Sequence, residues 1–136
     1  MSSPLFANDL AVLPYTPAAD HTAKRGFLVA LATTIATVSS SATVAAHGII
    51  LDGQNPTGNT NAQDSIGILG GNLGIVKVKA GAAAITKFSL LQQSALGTAE
   101  DDDGAGARVV FGRALEAAAA GELFDAIVFN PVVYAS

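Results

Sequence analysis

The sequence predicts an all-β fold: a small β-sandwich or β-barrel domain with an extended N-terminal arm. Three observations carry this expectation. Apolar residues recur with period two in short runs, the pattern of strands with two distinct faces. Clusters of Gly, Asn, Asp and Ser separate the runs at intervals suited to turns. No stretch combines helical periodicity with the caps and length of a full helix, so many short strands are left to pack as two layers or a closed sheet.

Residues 1–25, MSSPLFANDLAVLPYTPAADHTAKR, read as the arm. Pro4, Pro14 and Pro17 block a regular helix or a central strand. Leu5, Phe6, Leu10, Val12, Leu13 and Tyr15 are more apolar than a solvated tail requires. The arm therefore lies either over its own domain or on a neighbouring subunit or larger surface. On the second reading, deleting residues 2–17 weakens attachment more than it destabilises the domain.

Residues 26–136 read as a single β-domain. Its first part, 26–51, is rich in β-branched residues, which favour a pleated surface. Two or three strands are expected there, with a turn at Ser39-Ser40-Ser41, and HGIIL leads to a turn at Asp52-Gly53. Residues 52–64, DGQNPTGNTNAQD, form a long polar loop. Strand patterning resumes over 65–96. In 74–80, Val76 and Val78 share one face and Lys77 and Lys79 the other, as in a half-buried strand. Residues 97–107, GTAEDDDGAGA, read as a second loop.

The closing stretch 108–130, RVVFGRALEAAAAGELFDAIVFN, reads as strand, tight connection, strand. Val109, Phe111, Arg113 and Leu115 fall on one face; Leu123, Asp125, Ile127 and Phe129 alternate likewise. Glu116 to Ala120 has high helix propensity, but Gly121 allows one helical turn or a loop and no more. The tail 131–136 is short and apolar enough to add an edge strand. No internal repeat of useful length is present.

Composition narrows the function. Hydrophobic residues make up 50% of the chain and charged residues only 13%, so much of the surface is neutral and suited to packing against something. The net charge is −4 and the seven basic residues are scattered along the sequence, which argues against nucleic acid as partner. With no cysteine, neither a disulfide nor a cysteine-ligated metal can form. Lys24-Arg25 followed by GFLVALATTIATV and a small-residue stretch at 43–46 imitates a signal peptide, although the basic pair comes late. The uncharged run 26–51 is long enough to cross a membrane as a helix, but Ser, Thr and His47 interrupt it, so no membrane partner is expected.

Chemistry is not legible. His21 and His47 lack further ligands at metal-binding spacing and read as exposed or hydrogen-bonded histidines. The acids Glu100-Asp101-Asp102-Asp103 are consecutive, whereas a calcium loop alternates its ligands and adds a distal glutamate; the run reads as a solvated loop. Gly67-Ile-Leu-Gly-Gly-Asn-Leu-Gly74 lacks the Lys-Ser/Thr and the helix of a phosphate cradle and reads as glycine turns. No serine sits in a G-x-S-x-G elbow. The chain therefore reads as no enzyme: no catalytic, cofactor-binding or metal residue is assigned, and no cofactor is implied.

Residues 112–122, GRALEAAAAGE, followed by an apolar strand and Pro131, resemble the end of tailed-phage capsid decoration (cement) proteins. The resemblance runs diffusely over about 45–130 and includes Ala82-Ala-Ala-Ile-Thr-Lys-Phe88, where Lys87-Phe88 replaces a region usually occupied by glycine. It implies a structural protein, made in the host cytoplasm, that binds the outer surface of an assembled phage head. It would bridge major capsid protein subunits and so stabilise the head, as a homotrimer on the capsid. The alternative is an exported bacterial surface or adhesin-like β-domain with the signal-like segment at 24–46.

Overall fold

A computed structural model describes residues 11–135. Its described residues form ten strands and no helix, in two units. Strands β1 (Val12–Pro17), β2 (Leu28–Leu31), β3 (Ile35–Val38), β4 (Gly48–Asp52) and β5 (Asp64–Ile68) close into a barrel of order β1-β3-β2-β4-β5. Strands β6 (Ile75–Lys79), β7 (Leu90–Gln93), β8 (Ala99–Asp101), β9 (Arg108–Ala114) and β10 (Leu123–Tyr134) form an open sheet of order β6-β10-β9-β7-β8. The all-β expectation holds.

The apolar doublets explain how the units join. In β2 and β4, Leu28-Val29 and Ile49-Ile50 are wholly buried on both faces, which alternation permits only for a strand covered on both sides. Val29 and Ile50 point into the barrel with Ala36 and Ile66. Leu28 and Ile49 point the other way and pack with Val78, Leu91, Phe111, Phe124, Ala126 and Val128 of the sheet. Gln93, buried in β7, fastens the long β3–β4 connection to the sheet. Its amide donates to the carbonyls of Ser41 and Val44 at 2.7 Å each and accepts from the Ala46 N–H at 3.1 Å.

Several expectations change. Residues 12–17, assigned to the arm, are a barrel strand between β3 and β5; the remainder of the expected arm, 1–10, lies outside the described residues. Both prolines fit because of alternation. Thr16 N–H donates to Thr34 O, just ahead of β3, and Ala18 N–H to Ala36 O within it, which places the ring nitrogen of Pro17 on the β5 side, beyond the last β5 partner Tyr15. Pro14 turns its nitrogen toward β3 ahead of the first β3 partner, Thr16. Neither removes a ladder bond. Deletion of 2–17 would therefore open the barrel, so that variant does not separate attachment from folding.

The segment 24–46, read as signal-like, supplies β2 and β3. The β2–β3 turn falls at 32–34, with Ala32 N–H bonded to Ile35 O, and the serines 39–41 open the β3–β4 connection. The acidic loop contains β8, because Glu100 pairs with Gln92 across the ladder. The tail is a continuation of β10 past an irregularity between Val128 and Val132, where Pro131 sits, and pairs with β9. Residues 115–122 hold no helix. Ile85 and Ala118 exchange both backbone bonds there, which holds Ala118 in a β-bridge, and Ala120-Gly121 form a turn. The Glu116 carboxylate accepts from Asp125 N–H and the Glu122 carboxylate from Ala119 N–H.

Candidate functional site

The residues singled out for chemistry are engaged in holding the fold. His21 is buried, and its Nδ1 lies 2.5 Å from Asp64 Oδ2. The other Asp64 oxygen accepts from Gln54 N–H at 2.8 Å, while His21 N–H donates to Gln54 O. The pair thus ties the start of the polar loop 53–63 to the barrel. Gly53 is required beside it, since a Cβ there would stand 2.0 Å from His21 O. His47 Nδ1 accepts from Leu31 N–H at 2.9 Å, so this ring atom carries no proton. The two histidines serve separate backbone segments.

The acids at 100–103 are divided among separate partners. Glu100 accepts from the Gln92 amide. Asp102 accepts from Arg108 Nε at 2.6 Å, whose guanidinium stacks 4.1 Å over the Tyr134 ring. Asp103 accepts from Ala105 N–H. Asp101 accepts from the Ser89 hydroxyl at 2.5 Å and from Thr86 N–H. Burial pushes the Asp101 carboxyl up, but these hydrogen bonds outweigh it and hold the group below its ordinary value. Among the described residues, no group of three or more His, Asp or Glu is placed to hold a metal ion. Gly70 and Gly74 adopt positive φ in the β5–β6 turn, as glycine turns do.

What the strands bring together is a surface. On the sheet face turned away from the barrel, register aligns Ile75 of β6, Ile127 of β10, Arg113 of β9 and Leu90 of β7 in one row across four strands. Ile75 is 61% exposed, Ile127 43% and Leu90 36%. The next row holds Lys77 and Asp125, paired at 2.8 Å, with Glu116 3.8 Å from the same ammonium. The hydrogen bond to Asp125 raises Lys77 above its ordinary value, against desolvation. Lys79 and Leu123 follow. An antiparallel sheet with one solvated face normally makes that face polar; here exposed Ile75, Ile127 and Leu90 stand among charges of both signs, with Lys79 and Arg113 outside any ion pair among the described residues.

Phe88 adjoins this row. It is 57% exposed and holds φ at +69°, the left-handed region that a bulky side chain avoids. Surrounding bonds keep it there. Phe88 N–H donates to Ala114 O at 3.0 Å, and Arg113 donates to Phe88 O at 2.7 Å. Asp101 grips the residues on either side, Thr86 and Ser89. Lys87 Nζ lies 4.9 Å from the Phe88 ring centre.

Sequence reasoning did not identify this surface. A signal was present: β10 is apolar on both parities, with Phe124, Ala126 and Val128 buried and Leu123 and Ile127 exposed. The basic residues look scattered because Lys77, Lys79, Lys87 and Arg113 come from different strands and a loop.

Two concavities adjoin the structure's edges. A groove of about 470 Å³ beside β6 is lined by Val12, Arg25, Leu51, Leu73, Ile75 and Lys77 among others. A smaller one lies over Pro14, Tyr15 and Thr34. The first also holds Asp125, which is ion-paired to Lys77.

No protein-family model matches the chain, and no curated protein matches it. Among solved structures, it is similar to the N base of the head fibre gp8.5 of bacteriophage phi29, with a TM-score of 0.57 and 17% identity. The alignment covers 86% of this chain and 92% of that one. At this identity the likeness is one of fold.

Proposed function

We propose that this chain is a structural protein of a phage head, which attaches to the outer surface of the assembled shell and stabilises it by bridging major capsid protein subunits. The observation that carries the reading is the fold shared with a phage head-fibre base over nearly the whole of both chains. The neighbour is a fibre base, so the likeness speaks for a head-associated role and does not single out the decoration family; that finer role rests on the 112–122 resemblance. The outer sheet face supports attachment, since exposed apolar area of this kind marks a binding surface. Assembly as trimers and residence on the virion exterior belong to the same proposal. Stabilisation would act by mass action, since a ligand that binds only the assembled lattice favours it.

The export reading loses its main support in the barrel. Cleavage after Ala46 would remove β1, β2 and β3, and with them Val29 and Ala36 of the barrel core. The test is co-sedimentation with expanded heads that lack this protein, prepared from the phage that encodes it, followed by a heat challenge. Saturable binding with a raised disruption temperature is expected. Absence of binding, with the protein missing from purified virions, would overturn the proposal.

A further inference from the structure

We propose that the outer face of the β6–β10 sheet, centred on Phe88, Leu90, Arg113 and Ile127, docks an acidic, partly apolar surface of a protein other than this chain. The inference deepens the head-attachment reading and rests on it.

The shape of the face comes first. Four strands contribute one aligned row, so its side chains are held by a continuous hydrogen-bonded ladder. Phe88 extends the row. A non-glycine residue at φ +69° is disfavoured, and the bonds from Asp101, Ala114 and Arg113 impose that conformation on a residue whose ring is left mostly in solvent. Packing within the chain gives no reason for this expenditure of bonds. Presenting a rigid aromatic beside an arginine does, because such residues dominate binding hot spots, and backbone strain concentrates at functional positions.

Charge then selects the occupant. Lys79, Lys87 and Arg113 form no ion pair among the described residues. Asp125 and Glu116 on the same face are both held by Lys77, so on a chain of net charge −4 the unpaired charges here are the three cations. Two copies meeting face to face would bring these cations together, which repels. A head-to-tail contact would need a free acidic patch elsewhere on the chain. In the densest one, 100–103, Asp102 is neutralised by Arg108 while Glu100, Asp101 and Asp103 accept from neutral donors, so a head-to-tail contact between copies is the competing outcome that sedimentation velocity reads. A foreign acidic surface with apolar area satisfies both the cations and the Ile75–Ile127–Leu90 row.

Phe88→Gly tests this without endangering the fold, because glycine accepts positive φ and removes only the exposed ring. Binding to the undecorated heads is measured by co-sedimentation for the wild type, Phe88→Gly, the double variant Lys79→Glu/Lys87→Glu, and Val133→Thr on the far part of β10. Expected is an apparent Kd weakened about tenfold or more for Phe88→Gly, at an unchanged or raised Tm. The double variant should lose affinity and show a flatter salt dependence, while Val133→Thr binds as the wild type does. Wild-type binding with undiminished affinity in both face variants overturns the face and leaves the head reading intact. No wild-type binding overturns the head reading and this inference with it. A Phe88→Gly protein that changes oligomeric state in sedimentation velocity makes the face a contact between copies and overturns the foreign partner.

Discussion

In the barrel every strand has a hydrogen-bonded neighbour on both sides, whereas the sheet ends at β6 and at the three-residue β8. The barrel turns its small core of Val29, Ala36, Ile50 and Ile66 inward. The sheet buries one face against it and leaves Ile75, Leu90 and Ile127 exposed on the other. Closure removes the edges that invite pairing. The open sheet keeps both an edge beside the groove and an uncovered face. One unit is thus a closed support and the other an exposed surface held on it, and the polar locks differ accordingly. His21–Asp64 is buried and secures a loop to the barrel; Asp101 is partly exposed and secures the loop that presents Phe88.

The largest effect that would break this division is at the shared core. Phe124→Ala removes a fully buried ring between the units. It is expected to lower stability by roughly 3–5 kcal/mol, read by chemical denaturation. Two separate unfolding transitions in the wild type would show that the units do not rely on that core.

Next is the barrel lock. Asp64→Ala leaves His21 and Gln54 N–H without their acceptor, at about 1–3 kcal/mol for each buried donor. Its signature is faster amide exchange across 53–63. An unchanged exchange pattern would mean the loop is held by other contacts.

The smaller effects concern the exposed unit. Phe88→Gly relieves the left-handed backbone and is expected to raise stability by up to about 1 kcal/mol; a clear loss would show the ring to be packed in solution. For Asp101 the sign follows from its lowered folded value against an ordinary 3.8. Its contribution is complete above 3.8 and is lost as the pH falls below that value through the folded one. Thr86 amide protection should therefore fall in acid and be absent at neutral pH in Asp101→Ala. Protection that persists in that variant would remove Asp101 from the support of Phe88.

The sequence by itself determined the all-β class, since β-branched runs punctuated by glycine turns leave helices no room. It also determined β6, where Val76 and Val78 alternate with Lys77 and Lys79, and the adjacency of β9 and β10, which only a short connection joins. Periodicity reports that a strand has two faces but not what lies against each. Only tertiary structure decided that Phe124, Ala126 and Val128 of β10 are buried while Leu123 and Ile127 are exposed, because a partner strand 40 or more residues away sets the register. The barrel needed the same information. Pro14 and Pro17 argue locally against a strand, and only the direction of their neighbours' N–H groups makes β1 possible. The outer face was invisible for that reason too: Lys79, Leu90, Arg113 and Ile127 become neighbours through cross-strand register, a long-range pairing that local patterns do not encode.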